Sequence, residues 1–174
     1  QFRNRVRLYA DTDQMKDGVA QGKRLKERMD YGITYLKMDF GIELIRDVPG
    51  ALSVPIGQTV QERAMTMHPF TGVEITDKGI ALLEEYVGGV RSIVGMEVPL
   101  STDHFGHIGV NACIKLGKAL EKYNLAWLED MIPWQNTDLW KKITDAIDVP
   151  TLTGEDIYLK EDFIKLAQNH AVDM

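Results

Sequence analysis

Asp103, Glu129 and Glu155 fall at equal intervals of 26 residues (103 to 129, 129 to 155), each closing a short run with strand character: Val98-Pro-Leu-Ser-Thr-Asp103, Leu125-Ala-Trp-Leu-Glu129 and Thr151-Leu-Thr-Gly-Glu155. That interval is the length of one βα unit, so adjacent parallel strands would carry the three acids side by side at their C-terminal edge, where α/β proteins hold ligands. Three carboxylates that close together cannot all ionise cheaply without a cation, because each raises the pKa of the others. An oxygen-only set of one Asp and two Glu suits a hard ion such as Mg²⁺, whereas Zn²⁺ would favour His or Cys. One acid at a strand end is usually a helix cap or a solvated loop residue, but capping alone does not explain three at the same place in the repeat. Asp130 and Asp156, each following one of these acids, read as supporting or capping groups rather than ligands.

Lys37 and Asp39 close an earlier β-rich run, Leu36-Lys37-Met38-Asp39, and period-2 alternation sends both to one side. At a barrel mouth that side faces the acids. A Lys there could stabilise a developing anion, and beside a metal its pKa is expected to fall toward a value useful for proton transfer. Asp39 could serve as a base, as a partner of Lys37 or as a helix-entry acid. His104 and His107 follow Asp103 directly, so one imidazole could do acid–base work and the other touch substrate. His68, in a long loop, is a weaker candidate. Cys113, the single cysteine, reads as a small buried hydrophobe within a helix.

The elements that must position these groups alternate along the chain. Strands are predicted at Val6–Ala10, Ile33–Asp39, Ile93–Thr102, Leu125–Glu129 and Thr151–Glu155, and helices at Gln14–Tyr31, Asp77–Val90, Gly109–Tyr123, Thr137–Ile147 and Lys160–His170. Thr76 or Asp77 is placed to cap the second helix. Phe40 to Ile75, with three prolines and four glycines in its length, is long for a βα connection and suggests a flap or insertion. Alternating β and α elements imply a parallel sheet covered by helices, either doubly wound or part of a (β/α)8 barrel.

Composition agrees with an ordinary globular α/β domain: 174 residues, 44% of them hydrophobic, are enough to bury one core. Twenty basic against 26 acidic residues, a net charge of −6, leave no basic stripe for nucleic acid. No apolar run approaches the roughly 18 residues of a membrane span and no signal peptide opens the chain, so a cytoplasmic protein without a membrane partner is expected. The terminal Ala171-Val172-Asp173-Met174 looks like a strand just beginning, as in a piece of a longer protein.

Lys37-Met-Asp39, Thr102-Asp103-His104-Phe-Gly-His107, Trp127-Leu-Glu129-Asp130 and Thr153-Gly-Glu155-Asp156 together resemble the enolase superfamily, specifically its mandelate racemase-like group with the acid-sugar dehydratases. The resemblance implies a TIM-type (β/α)8 barrel, of which residues 1–174 would cover roughly strands 1 to 5 and the start of strand 6. The N-terminal capping domain and the last strands would then lie outside this sequence. It implies that Asp103, Glu129 and Glu155 hold Mg²⁺, that a small carboxylate substrate loses its α-proton, and that Lys37 helps stabilise the enediolate. For a sugar acid, loss of the β-hydroxyl would follow. A homo-oligomer is expected with it. Two departures stand out: the group's usual Lys-x-Lys is Lys37-Met-Asp39, and Phe105 stands where some dehydratases place a His. Racemase, epimerase or cycloisomerase chemistry on the same scaffold remains the alternative, as does a non-catalytic Mg²⁺-binding α/β domain.

Overall fold

The computed structural model describes residues 2–59, 72–103 and 108–174. His68, His104 and His107 lie outside these residues.

Helix α1 (Gly18–Asp30) begins where Asp17 leaves the helical conformation and its carboxylate accepts a hydrogen bond from the Ala20 N–H at 2.7 Å. Strand β1 (Leu36–Asp39) follows, then a 3₁₀ turn (Ile42–Leu44) and a small antiparallel pair, β2 (Leu52–Ser53) with β3 (Glu74–Ile75). This pair occupies part of the long connection after β1. Helix α2 (Asp77–Val94) is capped by the Thr76 hydroxyl, which accepts from Gly79 N–H. The remaining elements are β4 (Leu100–Asp103), α3 (Val110–Leu120) with a 3₁₀ turn at its end (Glu121–Tyr123), β5 (Leu128–Glu129), α4 (Thr137–Thr144), β6 (Thr151–Leu152) and α5 (Lys160–Gln168).

The main sheet is parallel in the order β1-β4-β5-β6, with Ala10 bridged in parallel to Leu36 outside β1. Neighbours therefore succeed one another along the chain. A doubly wound sheet would reverse direction at a switch point, and the described strands contain none. The sheet also curls. Three strand spacings of a flat sheet would hold Tyr9 and Trp127 about 14 Å apart, yet their ring centroids are 5.8 Å apart. Consecutive parallel order with inward curl is the pattern of a barrel wall.

Alternation divides the strands between two environments. Leu36, Met38, Leu100 and Leu128 are buried against the helices, where Leu25, Leu83, Val87, Leu116, Trp140 and Ile143 meet them. Lys37, Asp39, Ser101, Asp103, Trp127 and Glu129 take the other face, inside the curl. The α1–α2 contact is close enough that a Cβ on Gly18 would lie 2.0 Å from the Tyr86 carbonyl oxygen, so only glycine fits there.

Several expected boundaries move, each for a local reason. Ile93 and Val94, read as the start of a strand, complete α2, which stops only at Gly95 with φ 75°. The Val6–Ala10 strand is reduced to the bridge at Ala10. The strand read as Thr151–Glu155 ends at Leu152, because Gly154 takes φ 145° and turns the chain before Glu155.

Arg91 fastens the bottom of this wall. Its guanidinium is buried and donates to the carbonyls of Tyr123, Gly95, Val98 and Asn124 at 2.9–3.1 Å, tying the end of α2 to the approach to β4 and to the turn before β5. Arg91→Ala is expected to cost about 3 kcal/mol, since four carbonyls lose a charged donor at once. Thermal unfolding measures this, and a melting temperature equal to the wild type's would refute the clamp.

Candidate metal centre

Sheet register puts the acids in a row. Asp39 is paired with Asp103, and Asp103 with Glu129, on three neighbouring strands. Lys37 stands two residues before Asp39 on the same face and reaches across to Asp103 and Glu129: its Nζ lies 2.6 Å from Asp103 Oδ2 and 3.1 Å from Glu129 Oε2. The three residues are only 2 %, 3 % and 4 % exposed. Burying charges this deeply is tolerable only when they are paired, and one ammonium here serves two carboxylates. Burial alone would depress the Lys37 pKa, but hydrogen bonds and charge from Asp103 and then Glu129 outweigh it and hold the ammonium above its ordinary value. Both carboxylates touch the amine directly, so their attraction outweighs its burial.

Glu155 is placed differently from the equal spacing. The register partner of Glu129 on β6 is Leu152, three residues before Glu155, so identical intervals along the chain do not give identical heights on the sheet. Glu155 sits exposed in the turn beyond the strand, close enough for its charge to act on Asp130. Asp130 is the surprise. A carboxylate oxygen of Asp130 lies within 4.8 Å of ligand oxygens of Asp103 and Glu129, and these three form a group able to hold a metal ion. Strand alternation would have sent it away from Glu129, but its φ is 48° and the chain turns there. Thr153 fixes it by donating its hydroxyl to Oδ1 at 2.6 Å. Burial first, then the charges of Asp103, Glu129 and Glu155, push Asp130 up to about 7 against the opposing Thr153 bond.

Asp39 stays beside this group. Burial and the neighbouring charges of Asp11, Asp103 and Asp13 lift it to about 6, with Lys37 pulling the other way. Asp11 itself approaches Lys37 at 4.0 Å. Glu129 is also raised, by burial more than by Asp103, while Trp127 and Lys37 oppose the rise. The expected location of His104 and His107 falls outside the described residues.

The residues fit a hard divalent cation. Asp103 Oδ1 is buried and accepts no hydrogen bond among the described residues, an expensive state for a carboxylate oxygen unless a cation meets it. Every donor in the group is a carboxylate oxygen, the preference of Mg²⁺. Sequence reasoning placed Asp130 among the supporting or capping groups, and it missed the aromatic support beneath Glu129. The signal for the latter was present: Tyr9, Tyr35 and Trp127 each precede by two residues a charged group of the site, Asp11, Lys37 and Glu129.

A parallel, curled α/β wall with an acid row at its C-terminal edge is the class of protein that fold and site define. Residues 21–174 match the family described as enolase C-terminal domain-like, and the chain belongs to the enolase superfamily, in its mandelate racemase-like group. It is 27% identical over 158 residues to a D-galactonate dehydratase family member from Cellvibrio japonicus, a match covering 91% of this chain and 39% of that protein. It is 28% identical over 179 residues to the D-xylonate dehydratase of Haloferax volcanii, covering 99% and 38%. A solved mandelate racemase/muconate lactonizing enzyme-like protein from Rubrobacter xylanophilus superposes with a TM-score of 0.73 at 25% identity, covering 99% of this chain and 43% of its own. The chain thus spans about two fifths of the length of these relatives. No helix among the described residues is long and apolar enough to cross a membrane.

Proposed function

We propose that the whole protein is an Mg²⁺-dependent hydro-lyase that abstracts the α-proton of a sugar acid and expels its β-hydroxyl. The observation that carries this is Lys37, buried between two carboxylates of adjacent strands beside an Asp103 oxygen that has no donor among the described residues. The dehydratase names of the relatives support the substrate class. In this reading the chain supplies the first five strands of the barrel and the start of the sixth, within a cytoplasmic homo-oligomer.

Asp103 and Glu129 would hold the ion, with Glu155 as third donor as the family resemblance implies and Asp130 as the carboxyl packed against them. When bound, Mg²⁺ would supply positive charge to the substrate carboxylate and so make its α-proton more acidic. Lys37 stays protonated and faces the negative charge that develops as the proton leaves, which is electrostatic stabilisation rather than base catalysis. Asp39, lifted close to neutrality, is the group of this chain suited to receive the α-proton. His104 would donate the proton with which the β-hydroxyl departs as water, and His107 would hold substrate. The enol left behind tautomerises to a 2-keto-3-deoxy acid, so the balance is loss of one water.

A panel of aldonic and aldaric acids, incubated with the protein and Mg²⁺ in deuterated water and followed by NMR, tests the proposal. A 2-keto-3-deoxy product is expected from at least one acid. Exchange of the α-proton without loss of water would favour an epimerase on the same scaffold, and neither exchange nor product from any acid would reject the enzyme reading.

A further inference from the structure

Beneath the acid row lies an aromatic layer that the reaction scheme does not use. The Trp127 ring stacks on Tyr35 (centroids 5.1 Å apart, planes at 28°) and meets Tyr9 edge-on at 5.8 Å and 75°. The indole N–H donates to Glu129 Oε2 at 2.9 Å, both groups being buried. The same oxygen faces Lys37 Nζ at 3.1 Å. Two donors thus converge on Oε2, and neither engages Oε1. Tyr9 in turn lies under Lys37, with Nζ 5.5 Å from its ring centroid. One wall of rings therefore supports both the lysine and the glutamate.

We infer that Trp127 is a positioning residue for Glu129: its N–H, held in place by the Tyr35 and Tyr9 rings, fixes one carboxylate oxygen so that the other is presented to a divalent cation. A carboxylate on a two-residue strand could otherwise rotate about its terminal torsion, which is broad. An ordering hydrogen bond removes that freedom before the ion arrives, as the groups behind metal ligands do in general. The role goes beyond filling the interior, for which a phenyl ring would serve almost as well. It rests on the proposal that Asp103 and Glu129 are cation donors.

The test is calorimetric titration of the whole protein with Mg²⁺ in the wild type, Trp127→Phe and Glu129→Gln, with tryptophan emission followed in parallel. Trp127→Phe keeps a ring in the stack and removes the N–H. An affinity about tenfold weaker is expected, the lower end of what a group behind a ligand contributes, with the melting temperature little changed. The wild-type emission should shift as the cation binds and that shift should vanish in Trp127→Phe. Affinity equal to the wild type's would overturn the inference. If Trp127→Phe does not fold, the emission titration decides alone: the shift must persist in Trp134→Phe, and its absence in the wild type at saturating Mg²⁺ refutes the role. A wild type that binds no divalent cation removes the underlying proposal. Binding lost in Glu129→Gln but unaltered in Trp127→Phe removes only the part assigned to Trp127.

Discussion

Lys37→Met is expected to lower turnover by at least about a hundredfold, in the range that a positioned charged or proton-transferring group contributes, while Mg²⁺ affinity is kept or rises. The sign of the second effect follows from geometry. The ammonium sits 2.6 Å and 3.1 Å from oxygens of two proposed ion donors, so ammonium and metal attract the same carboxylates and repel each other. Methionine has nearly the length of lysine without its charge, so packing is largely preserved. Without metal the variant buries Asp103 and Glu129 with no counter-charge, which lowers its melting temperature. Added Mg²⁺ should restore much of that loss, because an ion binding only the folded state stabilises it by mass action. Steady-state kinetics, calorimetry and melting curves with and without Mg²⁺ measure the three quantities. Turnover close to the wild type's, or affinity that falls in step with turnover, contradicts the assignment of Lys37.

Glu129→Gln and Glu155→Gln should each abolish Mg²⁺-dependent turnover and weaken Mg²⁺ binding by more than about a hundredfold, above what the loss of a group behind a ligand costs. Gln keeps the shape of Glu, so the circular dichroism spectrum should not change. Asp130→Asn is expected to cost about tenfold, since Asp130 accepts from Thr153 and is the carboxyl that burial and its neighbours push up to about 7. The comparison separates two descriptions of the third donor. If Asp130→Asn loses binding as completely as Glu129→Gln while Glu155→Gln binds normally, the donor set is the compact group of Asp103, Glu129 and Asp130, and the part given to Glu155 is wrong.

Much of this architecture could be read along the chain. Helices announced themselves by apolar spacing, and α2 also by Thr76, a short side chain that accepts from its first turn; the Asp17 cap of α1 lies three residues inside the expected start at Gln14. Asp103 and Glu129 were legible because each closes a run with strand character, and the register confirms that they are neighbours. Lys37 was placed on the correct face by alternation alone. Other features were not legible. The glycine that ends α2 lies five residues beyond the expected end at Val90, and no local cue distinguishes a helix that continues from a strand that starts with Ile93 and Val94.

What the amino-acid sequence determined by itself is the alternation of elements, the placing of Asp103 and Glu129 at neighbouring strand ends, and the family. These rest on capping, periodicity and motif, all of which act within a few residues. What only the tertiary structure decided is height and direction: Glu155 three residues beyond the register partner of Glu129, Asp130 turned inward by a left-handed φ, and Trp127 brought from two strands away to Tyr35 and Glu129 held from below. Stagger between strands and the curl of the sheet set those positions, and both arise from packing the whole wall against its helices rather than from any single stretch of chain.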